Sequence, residues 1–365
     1  SDLPEDRVIH AARYPFILVF LALALAVFAW TRRLYGDVPA LAALALTCCC
    51  PTLLAHSAVA TMDLTVTLTF FLSVAACHAF ARKPSAKRAA IVGVCVSLAL
   101  MSKPTAILLL ALVPALLWIG VPRRELTLVR VAILLGSAAF TGLAAYGFTF
   151  SVLADPSDRP HELLEMSLRR IPWLLPGVQA AAERIPVPAP AFWKMLFITP
   201  FRLETPRNIY FMGVTAPQRF FAYFPVALIV KNTVPLLLLF ATALLAFLRK
   251  RTLPNRDEAF VILPMVALLL AGFTQQHTIG VRYMLPIFPF MIVFAASAAP
   301  WVGALPRIGK VLLGGLLVWS VWTTAAISPN QLSYFNEWAG GPANGHRYLV
   351  DSDLDWGQNL PDLRA

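Results

Sequence analysis

Residues 56–88 read HSAVATMDLTVTLTFFLSVAACHAFARKPSAKR. Eighteen of them, 63–80, form an apolar run with one acid, Asp63, at its head, and Arg82, Lys83, Lys87 and Arg88 follow its tail. That run is close to the roughly 20 residues a bilayer asks of a helix. Basic residues gathered at one end of such a run are the mark of a span held with its positive end in the cytoplasm.

The same pattern recurs along the chain. Apolar runs predict ten membrane helices, at about 15–31, 38–55, 63–80, 89–101, 105–120, 128–150, 221–247, 259–274, 283–300 and 311–327. The fold class is therefore an all-α, multi-pass membrane bundle. Of the ten, the fourth and fifth runs are short and read as a hairpin around Ser102-Lys103-Pro104 that reaches part-way across. Composition agrees, since 59% of the 365 residues are hydrophobic and only 13% are charged, against about 25% charged in a soluble domain. A soluble enzyme, a disordered chain and a disulfide-stapled scaffold are all excluded. The 5 cysteines lie inside apolar runs as small hydrophobes. Nucleic acid is not an expected partner either, because the basic residues behind the net charge of +11 punctuate apolar runs instead of sharing one polar face.

Orientation follows from counting Lys and Arg in the short connections. One set carries fifteen: Arg32, Arg33, Arg82, Lys83, Lys87, Arg88, Arg123, Arg124, Arg130, Arg249, Lys250, Arg251, Arg256, Arg307 and Lys310. The opposite set carries Lys103 and Arg282 alone. The first set is thus expected in the cytoplasm. Four parts result: membrane helices in 1–150 (about six spans), an extracytoplasmic loop 151–220, further membrane helices in 221–327 (about four spans), and the start of an extracytoplasmic segment in 328–365. The loop contains amphipathic stretches such as Glu162 to Leu175, expected as helices lying along the interface. Neither an internal repeat nor an inverted pair of Gly-interrupted spans is apparent. The opening Ser1-Asp2-Leu3-Pro4 has no initiator Met and no signal peptide, which reads as a fragment.

Ionisable groups held at a membrane boundary are costly and call for a reason. Asp63 reads either as a first-turn acid favoured by the helix dipole or as a functional carboxylate. Lys103, between Ser102 and Pro104, either snorkels to the headgroups or binds an anion. Lys231 lies deeper in an apolar run, where a phosphate is the natural partner. The turn Gln275 to Tyr283 combines His277, Arg282 and Tyr283, and arginine suits bidentate phosphate recognition. No second ligand stands beside His277 at metal spacing, so neither a metal nor a cofactor is expected. Asp351, Asp353, Asp355, Trp356 and Gln358 fail the calcium-loop pattern, and read as a loop that binds a sugar or merely packs an outer domain.

At these residues a resemblance emerges. Ala12-Arg13-Tyr14-Pro15, His56-Ser57 through Asp63, Ser102-Lys103-Pro104, Tyr223-Phe224-Pro225 through Lys231, Ile279 through Pro286, Tyr334 to Gly341 and Asp351 to Gln358 run from end to end of the chain. Together they resemble the bacterial branch of the dolichyl-phosphate-mannose protein mannosyltransferases, within the GT-C superfamily that also holds the aminoarabinose transferases of lipid A. The resemblance implies a GT-C-like bundle in the bacterial inner membrane. It further implies transfer of a hexosyl or pentosyl unit from a polyprenyl-phosphate donor to a protein, lipid or glycan acceptor at the extracytoplasmic face. Asp63 is then the catalytic carboxylate present. His56, Lys103, Lys231, His277, Arg282, Tyr283, Asp351, Asp353, Asp355, Trp356 and Gln358 line the substrates. Two departures from the family stand out: its first helix and the acid that follows it precede Ser1, and Asp353 stands where Asn is expected. The alternative is a transporter or flippase of lipid-linked sugars, in which charges line a route open to both sides.

Overall fold

The computed structural model describes residues 5–153, 175–195, 208–217, 220–249, 255–274, 280–304 and 307–356. Fourteen helices carry the architecture among these residues: α1 (Glu5–Tyr35), α2 (Asp37–Cys48), α3 (Pro51–Ser57), α4 (Met62–Arg82), α5 (Ala86–Ser102), α6 (Leu109–Gly120), α7 (Leu128–Ala145), α8 (Leu175–Arg184), α9 (Tyr223–Val230), α10 (Val234–Arg249), α11 (Arg256–Thr274), α12 (Ile287–Ala296), α13 (Ala299–Ala304) and α14 (Arg307–Ala326). Every one of the ten apolar runs is helical. Among the described residues five helices are long and apolar enough to cross a bilayer, or seven when two bent pairs each count as one span.

Those bends follow from the sequence. Pro51 opens α3 after α2 has ended at Cys48, and the pair bends by 59°. Between α9 and α10 the bend is 115°, with Pro235 in the first turn of α10. Proline lacks the N–H a continuing helix needs, but fits the first turn of a new one. Caps mark the other starts. Ser85 and Thr127 accept the N–H groups of Arg88 and Arg130, and Asn255 and Glu258 cap each other's amides at 2.8 and 3.1 Å.

α12 is apolar on every side and all ten of its residues are buried. Such a helix belongs at the centre, and α1, α2, α4, α10 and α11 surround it. At the periphery, α7 buries none of its residues and α14 only three. Leu135, Phe140, Val318 and Trp322 point outward there, a surface suited to lipid. α7 reaches α5 closely because Gly93 has no side chain: a Cβ at that position would lie 2.1 Å from the Leu134 carbonyl oxygen. The Ser137 hydroxyl donates to the Ala90 carbonyl at 3.1 Å across the same contact, the small-residue packing that membrane helices favour.

The expected hairpin of the fourth and fifth runs is an open one. α5 packs on α4 and α7, whereas α6 packs on α4 and α11. Extended geometry at Lys103, imposed by the proline that follows, turns the two arms apart. In the long loop, the otherwise helical fold gains two ribbons: β1 (Phe150–Ser151) pairs antiparallel with β2 (Val187–Pro188), and β3 (Ile209–Phe211) with β4 (Val214–Ala216). Met212 and Gly213 both take positive φ, which lets two residues close the second hairpin. Most of the interfacial stretch expected at Glu162 to Leu175 lies outside the described residues.

α4, α11 and the end of α1 meet at the end of the bundle that carries the basic connections. There His78 accepts from Trp30 Nε1 at 3.1 Å and contacts Asp257 at 2.9 Å, while Arg82 donates to the second oxygen of Asp257 at 3.4 Å. The candidate site lies at the opposite end of α4.

Candidate active site

Asp63 sits in the first turn of α4, where the helix dipole favours a negative charge. Its side chain is only 5% exposed and is ion-paired with Lys103. The pair is made by local geometry. Pro104 excludes the helical conformation at the residue before it, so α5 stops and Lys103 extends (φ −163°, ψ 144°) toward the start of α4. Lys103 Nζ also lies 4.7 Å from the centroid of the Tyr283 ring.

Tyr283 belongs to a 3-10 turn, Val281–Met284, entered through Gly280 at φ +91°. The Arg282 guanidinium lies 5.4 Å from the Tyr283 ring and 4.8 Å from the ring of Trp356. Both cations are thus within the roughly 6 Å over which a ring attracts them. Trp356 in turn meets His56 edge-on at 6.2 Å. His56 is buried in α3, and its Nδ1 lies 2.8 Å from the Thr52 carbonyl, so Nδ1 donates. Its Nε2 then carries a lone pair with no partner among the described residues. Contacts therefore run unbroken through Asp63, Lys103, Tyr283, Arg282, Trp356 and His56, six residues brought together from four separate stretches of sequence.

Lys231 is placed differently from the sequence expectation. The run that reads as continuous is broken immediately after Val230, and Lys231 caps the end of α9 with 2% exposure. Its ammonium donates to the carbonyls of Leu332 at 2.8 Å, Tyr334 at 2.9 Å and Asp353 at 2.5 Å, and sits 4.2 Å over the Phe335 ring. Three protons meet three carbonyls, so none is left for a phosphate. Lys231 bolts the C-terminal segment onto the bundle.

Of the two readings the sequence left open for its loop, Asp353 has the geometry of the packing one. It is fully buried, and Oδ1 accepts the Val281 N–H at 2.8 Å while Oδ2 accepts the Tyr223 hydroxyl at 3.1 Å. Burial pushes its carboxyl above the usual carboxylate range, opposed by Lys231 and by the two hydrogen bonds. Asp351 and Asp355 are exposed in the same segment, Asp351 at φ +59°. His277 and Gln358 lie outside the described residues. Among the described residues no three His, Cys, Asp or Glu side chains are grouped to hold a metal ion.

Asn336 and Tyr223 hold the site, and both lie in stretches that carry the family resemblance, although neither was singled out as a site residue. Asn336 Nδ2 donates to the carbonyls of Ile229 at 2.7 Å and Asn232 at 2.9 Å, and its own N–H donates to Val230 at 2.9 Å. These are the carbonyls that a helix end leaves unpaired.

Residues 5–146 match the family described as dolichyl-phosphate-mannose-protein mannosyltransferase. No curated protein sequence matches the chain. Among solved structures, the oligosaccharyltransferase of Archaeoglobus fulgidus, tethered with an acceptor peptide containing the NVT sequon, is similar at a TM-score of 0.52 and 13% identity, over 88% of this chain and 44% of that one. ArnT from Cupriavidus metallidurans in the apo state gives 0.50 and 14%, over 87% and 56%. The same ArnT bound to undecaprenyl phosphate gives 0.49 and 13%, over 88% and 57%. This chain spans about half the length of those proteins. It shares the fold of the archaeal oligosaccharyltransferase and of ArnT, and its apolar helices are those of a multi-pass membrane protein. Residues 5–146, its first seven helices, carry the sequence pattern of the dolichyl-phosphate-mannose-protein mannosyltransferases.

Proposed function

We propose that the protein transfers a sugar from a polyprenyl-phosphate carrier to an acceptor at the extracytoplasmic face of the bacterial inner membrane. The observation that carries this is the Asp63–Lys103 pair beside Arg282, at the opposite end of α4 from the basic residues Arg82, Lys83, Lys87 and Arg88. ArnT of the same fold binds undecaprenyl phosphate, and the archaeal oligosaccharyltransferase takes an acceptor peptide. A lipid-linked donor and a protein or lipid acceptor fit this chain on that basis.

The reaction is a single displacement with inversion. An acceptor hydroxyl attacks the anomeric carbon, the carbon–oxygen bond to phosphate breaks, and the hydroxyl proton passes to a carboxylate. Polyprenyl phosphate departs with its added negative charge held by Lys103 and Arg282. Arrival of the donor phosphate draws Lys103 away from Asp63, which frees that carboxylate to accept the proton or to orient the sugar. Tyr283 and Trp356 offer faces on which a sugar ring can stack. His56 Nε2 is an acceptor for a hydroxyl.

The test is release of labelled sugar from polyprenyl-phosphate mannose, glucose and aminoarabinose by the protein reconstituted in lipid. A base at Asp63 predicts that Asp63→Asn lowers turnover by about 10²–10⁴-fold, and Lys103→Ala should weaken donor use. Movement of intact lipid-linked sugar across the bilayer, with no release, would overturn the transferase in favour of a flippase.

A further inference from the structure

We propose that Asp353 is a positioning residue that sets Arg282 for the donor phosphate. This inference rests on the function proposed above.

A closed ring of hydrogen bonds carries it. Gly280 N–H donates to the Tyr223 hydroxyl at 3.0 Å, that hydroxyl donates to Asp353 Oδ2 at 3.1 Å, and Val281 N–H donates to Asp353 Oδ1 at 2.8 Å. Two successive amides are therefore fixed to one carboxylate, one directly and one through a phenol. The next residue is Arg282. Gly280 permits the fit, because its φ is +91° and any Cβ would lie 2.3 Å from Ser352 Oγ. The other side of Asp353 is held too, by Lys231 Nζ on its backbone carbonyl at 2.5 Å. Three residues further on, Trp356 meets the Arg282 guanidinium at 4.8 Å. The Asp353 side chain thus ties the backbone just ahead of Arg282 to the segment that carries Trp356, and Lys231 ties that segment to the bundle.

The chemistry requires an acceptor at both oxygens. An Asn at this position has one carbonyl oxygen for Val281 N–H, but its amide must then donate to the Tyr223 hydroxyl. That hydroxyl already receives Gly280 N–H, so it would take two donors and give its own proton to neither. The turn loosens and Arg282 loses its fixed aim. Arginine recognises phosphate through a planar fork, which makes its contribution sensitive to orientation.

The experiment measures binding of undecaprenyl phosphate to the detergent-purified protein, with wild type, Arg282→Ala, Asp353→Asn, Tyr223→Phe and the Asp353→Asn/Arg282→Ala double variant. Asp353→Asn is expected to raise Kd about tenfold, and Tyr223→Phe about threefold. In the Arg282→Ala background, Asp353→Asn should add nothing, since a residue acting through Arg282 has nothing left to position. Tyr223→Phe gives the same test by the milder route if Asp353→Asn fails to fold. Independent, additive losses would overturn the positioning role, as would an unchanged Kd in both single variants alongside a weakened Arg282→Ala. If wild type itself fails to bind undecaprenyl phosphate, the donor assignment falls and this role falls with it, a result distinct from either of those.

Discussion

Replacing Lys231 by Met keeps the unbranched stem and removes the terminal ammonium, and the structure says what should follow. The ammonium is 2% exposed and its three donors meet the carbonyls of Leu332, Tyr334 and Asp353. Hydrogen bonds from a charged donor contribute about 1.5–3 kcal/mol each, but the variant also escapes the desolvation of a buried cation. A net loss of about 3 kcal/mol is the reasonable outcome, at the low end for breaking a buried charged cluster. The loss is local, because all three acceptors belong to one segment. Hydrogen exchange read by mass spectrometry therefore gives the sharpest assay. Amides of the segment whose partners lie in the bundle or in its own turns, Asn336 to Val230 and Ala339 to Asn336 among them, should exchange about 100-fold faster. Amides of α12 should not change. The opposite pattern, unchanged exchange in residues 331–356 with a collapse of undecaprenyl phosphate binding, would show Lys231 to be a phosphate ligand and refute the bolt.

Other consequences are quickly checked. Gly280→Ala should cost about 2 kcal/mol or more in thermal stability, from left-handed backbone and a Cβ 2.3 Å from Ser352 Oγ, and should weaken polyprenyl-phosphate binding as well. Gly93→Ala should lower the melting temperature by forcing α5 and α7 apart, since its Cβ would fall 2.1 Å from the Leu134 carbonyl, with little change in donor affinity. Asp353 has its folded-state pKa raised by burial, so its contribution to stability is fully present below the ordinary value of 3.8 and is lost as pH rises through the raised value. Melting measured from pH 4 upward should show that decline in wild type and its absence in Asp353→Asn.

The spans were legible because lipid-facing and buried helices are both apolar, and runs such as 63–80 and 311–327 declare themselves. That Asp63, Lys103 and Arg282 gather at one end of the bundle was legible for a related reason: a charge at the end of an apolar run stands out. Lys231 was read with the same rule and placed wrongly, because three backbone carbonyls satisfy it, and carbonyls leave no trace in a sequence. The 115° bend beside it falls at Lys231-Asn232-Thr233, just ahead of Pro235, inside a stretch that reads as a single span, 221–247. Asp353 looked like a sugar ligand for want of any sign that Tyr223 and Val281, 130 and 72 residues away, converge on it. Long-range hydrogen bonds between polar residues have no periodicity to betray them.

α12 has a consequence for how the molecule is made. Its ten residues rise about 15 Å, half the hydrocarbon thickness of a bilayer, and even the apolar stretch Ile287–Val302 falls short of a full crossing. Such a segment gains too little from lipid to wait there as an independent helix. It must be handed from the insertion machinery directly to partners already in place, and α1, α2, α4, α10 and α11 all precede it in the chain. Synthesis order and assembly order then coincide, and a truncation ending before α12 would leave an unfilled hole at the bundle's axis.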